Sequence, residues 1–295
     1  MSEQRYVDST YLVRWESDQQ VWNIADKPTI VPQSKSVQEE KRILKGLKKK
    51  SKELQKKLYA EQKQALLVVF QAMDAAGKDS TIRAVFSGFN PQGCRVQSFK
   101  RPTPRELSHD YLWRVHQEAP QKGHIQIFNR SHYEEVLVTS VFPQILESQK
   151  LPSRDFESEM NLRFEHIQNF ERLLSNTGTR IVKFFLNVSK SEQKNRLRRR
   201  TEDPNRHWKH ESGDLKMREH WDSFMLAYER AIKETSKPHA PWYMIPADNK
   251  PYMRRCVADI IYQTLISMNP QYPKVSHEEL QQIQMDRAII LSPDF

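Results

Sequence analysis

The segment ALLVVFQAMDAAGKDSTIR occupies residues 65–83 and changes character twice along its length. An unbroken apolar run, Leu66–Phe70, gives way to small residues around Asp74, then to Gly77-Lys78 and a helix-compatible stretch. An apolar run without alternation predicts a strand covered on both faces, and the Gly-Lys pair predicts a turn into a helix. Strand, glycine loop and helix in that order make a phosphate cradle. Backbone N–H groups and the helix N-terminus face the anion, and the lysine neutralises it. The same residues also fit a buried strand closed by a tight turn with no ligand. Asp74 favours the cradle, because an acid inside a phosphate loop serves chiefly to hold a metal ion or to meet a proton in flight.

Two positions depart from the G-x-x-x-x-G-K-[ST] pattern: Ala72 stands at its first glycine, and Asp79 stands where a hydroxyl should follow the lysine. No physical reason for Asp79 is visible in the sequence. The phosphate-binding positions read from the loop and the helix behind it are Ala75, Ala76, Gly77, Lys78, Asp79, Ser80 and Arg83.

Residues 1–37 are polar, with Tyr6, Tyr11, Trp15 and Trp22 scattered among them and no period, and are expected to form an arm packed on the core. From Gln38 to Tyr59 a basic helix is predicted, with Ile43, Leu44, Leu47, Leu54 and Leu58 on one face and lysines around it. That helix is either a solvated surface or a polyanion-facing one. Behind the loop, a helix from Lys78 to Ser87 should end in GFNPQG. A strand over Cys94–Phe99, a helix over Pro104–Glu118 and a strand over His124–Asn129 follow.

That last strand ends in NRSHYEE, at the place where polar residues meet metal and phosphates beside a phosphate loop. Asn129 occupies the position expected to be acidic. Arg130 is suited to clamp phosphate, and Glu134 and Glu135 supply the negative charge that asparagine lacks. A capping box of Ser131 with Glu134 accounts for the same residues and is compatible with that role. His132, at the start of a capped helix, has no activating neighbour and is not read as a phosphohistidine.

A helix over Glu159–Asn176 and a strand over Arg180–Val188 come next, then a capping box, Ser189 to Glu192. The helix it opens carries Lys190, Lys194, Arg196, Arg198, Arg199 and Arg200, with Arg206 and Lys209 beyond a break at Asp203-Pro204-Asn205. A basic helical hairpin in this position suits a lid that delivers cations and excludes water. A helix over Leu215–Thr235, a strand over Trp242–Pro246 and a helix over Tyr252–Met268 complete the chain before a polar tail. Five strands alternating with helices predict a parallel sheet covered on both faces. Three regions are expected: 1–60, an arm and basic helix; 61–268, the phosphate-loop domain with its lid at about 190–215; and 269–295, the tail.

At 295 residues the chain can bury a large core, and its net charge of +10 points to a polyanionic partner without choosing one. Two distant cysteines, Cys94 and Cys256, form neither a disulfide framework nor a paired zinc site, which suits a reducing cytosol. No signal-like N-terminus and no apolar run of about eighteen residues is present, so a cytoplasmic protein without a membrane partner is expected.

The motifs QAMDAAGKDSTIRAVFSGFNP, SHDYLWRVHQ, IFNRSHYEEVLV, RIVKFFLNVSKSEQ and RTEDPNRHWKHESGD, in this order between Glu61 and Ala258, resemble the polyphosphate kinase 2 family. The resemblance implies an α/β P-loop kinase fold similar to thymidylate kinase: three layers, α/β/α, a five-stranded parallel sheet and a helical lid. It implies phosphoryl transfer between inorganic polyphosphate and a nucleotide, with Mg²⁺ as cofactor and Mn²⁺ as an alternative. By that resemblance Asp74 and Lys78 match the first phosphate-loop motif, Arg130 the second, and Arg196, Arg200 and Lys209 the lid cations. Asn129 resembles the subgroup that phosphorylates both AMP and ADP, although the acid pair there reads Glu-Asp rather than Glu134-Glu135. The implied catalytic set is Asp74, Lys78, Asn129 and Arg130, with Arg130 and Glu134 at the nucleotide and Asp74 and Glu135 at the metal. Adenine nucleotides are the expected acceptors, with guanine as an alternative base, and a homo-oligomer, dimer or tetramer, is expected. Two rivals remain at this level: a nucleoside monophosphate kinase using ATP, and a non-catalytic basic nucleic-acid-binding protein. The acids at Asp74 and in NRSHYEE speak against nucleic acid as a partner.

Overall fold

The structure, a computed structural model, describes residues 6–14, 22–31 and 35–292. Trp15 lies outside the described residues. A six-stranded sheet runs in the order β1-β6-β5-β2-β4-β3. Its members are β1 (Leu12–Val13), β2 (Ala65–Gln71), β3 (Cys94–Ser98), β4 (Ile125–Asn129), β5 (Thr179–Asn187) and β6 (Trp242–Pro246). Strands β2 to β6 are parallel; β2, β4, β5 and β6 are mainly apolar and buried, while β3, at the edge, is polar and largely exposed. All seven residues of β2 are buried, which fits a central strand covered by helices on both faces.

The expected five-stranded parallel sheet is therefore one strand short. The arm adds β1, antiparallel to β6, with Leu12 opposite Tyr243 and Val13 opposite Trp242. The reason is the free edge of β6, whose backbone groups need partners. The Tyr243 hydroxyl strengthens the seam by accepting from Val7 N–H at 2.9 Å and donating to the Val7 carbonyl at 2.9 Å. Two residues leave no room for a periodic pattern, so β1 has no signature in sequence.

The helices are α1 (Val37–Glu61), α2 (Lys78–Phe86), α3 (Pro104–Leu107), α4 (Trp113–Gln117), α5 (Glu134–Val141), α6 (Phe156–Asn176), α7 (Lys190–Glu202), α8 (Gly213–Glu219), α9 (Trp221–Thr235), α10 (Lys250–Met268) and α11 (His277–Ile290). The basic helix α1 lies along α10, with Leu58 buried and Leu44, Leu47 and Leu54 half-buried against the core. Two predicted helices are each broken in two. Thr103 and Glu106 close a capping box on α3, and Asp110 accepts from Leu112 N–H at 2.9 Å before α4 begins. Helix α8 ends at His220, where α9 starts. The tail holds α11, exposed throughout. Among the described residues no helix is long and apolar enough to cross a membrane.

Candidate active site

Register brings the site together. Phe70 lies opposite Asn129 on one side and Phe184 on the other, so the loop after β2 emerges level with Arg130 after β4 and close to the end of β5. This is the carboxyl edge of a parallel sheet, where ligands bind in open α/β folds.

Between β2 and α2 the loop turns through left-handed conformations at Ala75, with φ of 61°, and Gly77, with φ of 109°. Only glycine adopts the second readily. Helix α7 holds the loop from behind. Gln193 Nε2 donates to the Asp74 carbonyl at 2.9 Å, and Arg196 Nη1 donates to the carbonyls of Ala75, at 3.4 Å, and Ala76. In a trans peptide the C=O and the following N–H point opposite ways. Turning these carbonyls toward α7 therefore aims the amides of Ala75 and Gly77 away from it, the orientation a phosphate cradle needs. The Ala76 amide is used internally, on the Met73 carbonyl at 3.2 Å, and the Ser80 hydroxyl donates to the Gly77 carbonyl at 3.1 Å.

Lys78 is buried, and its ammonium donates to the Ala72 carbonyl at 2.8 Å and lies 3.9 Å from Asp74 Oδ1. Burial lowers its pKa, with Asp74 opposing the shift. Arg130 has φ of 61°, uncommon for a side chain of its size and a strain found at functional sites. Its amide donates to the Phe70 carbonyl at 3.1 Å, which anchors the turn. Its Nη2 donates to Asp74 Oδ1 at 2.7 Å, and its Nη1 stands 3.9 Å from Glu134 Oε2. Burial, with Asp74 adding, raises the pKa of Glu134 against the pull of Arg130 and Lys78. Asp74, Lys78, Arg130 and Glu134 are thus one cluster.

Asn129 accounts for Asp79. Its Nδ2 donates to Asp79 Oδ1 at 2.5 Å and to Ser98 Oγ at 3.4 Å, so the acid after the lysine is held by the amide at the end of β4.

Three expectations change. Glu135 is turned away from the loop: its carboxylate accepts from Gln149 at 2.8 Å and meets Arg114 and Arg163, each at 3.4 Å. Successive helical side chains diverge by about 100°, so only one of two adjacent acids faces the cluster, and it is Glu134. The Ser131–Glu134 capping box does not form; Ser131 Oγ accepts from Tyr133 N–H at 3.2 Å and from Gln71 at 3.2 Å, while Glu134 faces Arg130. The cations expected of a lid do not form one set. Arg196 is buried and spends its guanidinium on loop carbonyls, on those of Ala247 and Asp248, and on Glu192. Arg200 donates to Asp214 and to the Lys209 carbonyl, while Lys209 itself lies over the Trp208 ring, 4.8 Å from its centroid. Arg83 is exposed on α2.

Several residues at the site were not among the expected site residues, although Gln193 and Asp214 close two of the family-like stretches. Gln193 shares with Arg196 the face of α7 that grips the loop. Asp214 holds Arg200, and burial followed by the charge of Asp74 raises its pKa. The buried Tyr228 of α9 lies in the field of Glu134, Asp74 and Arg130. Their place at the ends of RIVKFFLNVSKSEQ and RTEDPNRHWKHESGD was the available signal for Gln193 and Asp214, the latter also an acid within a basic run; Tyr228 reads as an ordinary core aromatic.

This geometry coincides with a family match. The polyphosphate kinase 2 family matches residues 34–273. The chain belongs to the polyphosphate kinase 2 family. It is accordingly a phosphotransferase of the polyphosphate kinase 2 type. Over 241 residues it is 45% identical to the ADP-polyphosphate phosphotransferase of Rhodopseudomonas palustris, covering 81% of this chain and 83% of the relative. Over 228 residues it is 49% identical to the AMP/ADP-polyphosphate phosphotransferase of Meiothermus ruber, covering 77% and 82%. The crystal structure of polyphosphate kinase 2 from Arthrobacter aurescens superposes with a TM-score of 0.84 at 34% identity, covering 97% of this chain and 98% of that one.

Proposed function

We propose that the protein is a P-loop kinase that moves the terminal phosphoryl group of inorganic polyphosphate onto AMP and ADP, reversibly, with the α7–α8 segment as its lid. The observation that carries this reading is the cluster of Lys78, Arg130 and Asp74 at the mouth of a loop whose amides at Ala75 and Gly77 are turned outward. Relatives named for AMP and ADP acceptors support the choice of nucleotide.

A phosphate oxygen of AMP or ADP attacks the terminal phosphorus. The bond to the next phosphate breaks, and the shortened polyphosphate leaves with the electron pair. The nucleophile is already largely ionised at neutral pH, its second pKa being about 6, so no strong base is required. Repulsion between two anions is the main obstacle, and Lys78 and Arg130 offset it where equatorial oxygens gather charge. Asp74 fixes Arg130 and Lys78 in register with each other.

Magnesium is commonly held by one or two carboxylates plus substrate phosphates rather than by an all-protein cage. Asp74 and Glu134, both beside Arg130, fit that requirement, and among the described residues no cluster of three or more His, Cys, Asp or Glu side chains competes for the ion. Held by Asp74 and Glu134, the ion would supply positive charge that offsets the charge developing on the transferred phosphoryl group. The unpaired thiols of Cys94 and Cys256 suit a cytoplasmic setting.

The test is a product time course from AMP with polyphosphate or with ATP as donor. Successive appearance of ADP and ATP from polyphosphate is expected; transfer from ATP alone would overturn the donor. Lys78→Ala and Asp74→Ala should each lower turnover by at least about 10²-fold, and near-normal rates in either folded variant would overturn the site.

A further inference from the structure

The first turns of α10 lie against the phosphate loop. Met253 Cε is 3.7 Å from where a Cβ on Gly77 would stand, and Met253 Sδ meets Thr81 Oγ1 at 3.9 Å. Arg196 joins the loop to the same place, since it binds the carbonyls of Ala75 and Ala76 and those of Ala247 and Asp248 just before α10. Lys250 and Arg254 flank Met253 and, four residues apart, share one face of the helix.

Cations converge there. The charges acting on Arg254 are Arg83 of α2 and Arg196 of α7, both of its own sign, and its Nε is shielded from solvent without a hydrogen-bond partner. Lys250 feels Arg196, Arg254 and Arg199, and the acid that opposes them, Glu192, is already paired to Arg196 at 2.8 Å. Burial and these neighbours bring the Lys250 ammonium down to about 8. Half-buried like charges destabilise a fold unless an anion lies among them.

We infer that Lys250 and Arg254, with Arg83 and Arg199, form a second phosphate subsite that holds the remote phosphates of a polyphosphate chain whose reactive end lies in the loop. The inference rests on the donor proposed above. A nucleoside tail would bring an uncharged base to these cations, whereas polyphosphate brings a negative charge at every repeat, matching cations contributed by three separate helices. A donor long enough to reach from the loop to α10 gains contacts that a short one cannot make, so the subsite sets the dependence on chain length.

The experiment compares tripolyphosphate with long-chain polyphosphate as donors for the wild-type chain and for Lys250→Gln/Arg254→Gln. The expected result is a roughly tenfold fall in the kcat/KM advantage of the long donor, carried by its KM. The salt dependence of that KM should also become shallower, because fewer phosphate charges are neutralised. Arg83→Gln, at an exposed position, should reduce the same ratio to a smaller extent. An unchanged ratio overturns the subsite, and so does an equal loss with both donors, which would mark a packing role. If the wild-type chain transfers nothing from any polyphosphate, the donor assignment falls and takes the subsite with it.

Discussion

Asn129 donates to Asp79 across 2.5 Å, and an aspartate in its place would set two carboxylates at hydrogen-bond distance at the start of α2. Like charges that close cannot both ionise without cost. Asn129→Asp is therefore expected to lower kcat/KM for transfer by about tenfold, and Asn129→Asp combined with Asp79→Asn to recover most of the loss. The coupling in such a cycle should be about 1–2 kcal/mol. Additive effects of the two substitutions would show that the amide acts on substrate rather than through Asp79. Nearby, with the backbone left-handed at Ala75 and Arg130, one oxygen of Asp74, Oδ1, serves both Lys78 and Arg130.

Helix α7, part of the proposed lid, forms a back wall for the loop. Its exposed cations, Arg198 and Arg199, face solvent, while Gln193 and Arg196 on the buried side fix loop carbonyls. Truncation of Arg196 would leave several buried carbonyls without a donor. Arg196→Ala should cost about 2–4 kcal/mol of stability, read from the denaturant midpoint, together with a fall in kcat. Arg196→Lys should recover little, because a single ammonium cannot span the carbonyls of the loop and of Ala247. Full activity in Arg196→Ala would show that the loop keeps its shape unaided. Helix α5 acts by direction: Glu134 joins the cluster of Asp74, Lys78 and Arg130, and Glu135 joins a buried network with Arg114, Arg163 and Gln149.

Across the whole molecule, a buried polar group ties the sheet to the turn that carries Arg130. Lys183 of β5 donates to Glu171 of α6 at 2.7 Å and to the Tyr133 hydroxyl at 2.7 Å; Tyr133 donates to Glu171 at 2.9 Å, and His132 Nε2 reaches Glu171 at 3.3 Å. His132 Nδ1 has no partner, and burial lowers the His132 pKa in spite of Glu171. Burial opposes ionisation of Glu171 as well, yet Lys183 and His132 hold its pKa low, while burial brings Lys183 to about 8. The sign for His132 follows from proton counting. The unfolded imidazole takes a proton near its ordinary pKa of about 6.5, whereas the folded one resists until lower pH, so the unfolded state binds more protons in that window. Stability contributed by neutral His132 is present above about pH 6.5 and is lost as pH falls toward the folded pKa, with a slope of at most about 1.4 kcal/mol per pH unit. Melting temperatures between pH 7.5 and 5 should fall more steeply for the wild type than for His132→Gln, and parallel profiles would contradict this.

The five parallel strands and the glycine turn into α2 were legible because their signals are local: apolar runs bounded by turn residues for β2, β4, β5 and β6, and a Gly-Lys pair after the first of them. Lys78, Asp74 and Arg130 could be named for the same reason, since each sits at a fixed offset from a strand end. Side-chain direction was not legible. Glu134 and Glu135 are indistinguishable in sequence, and the start angle of α5 separates them. Arg196 and Arg199 belong to one basic run, and the packing of α7 on the loop sends one inward and the other outward. Pairing between distant segments was equally silent: β1 on β6, Asn129 on Asp79, and Lys250 and Arg254 beside the loop all join residues far apart in the chain. Residue order establishes where the proposed phosphate cradle lies, because such a cradle is built from consecutive backbone amides. Which cations and acids surround that loop is settled by the fold, because charge acts through space and not along the chain.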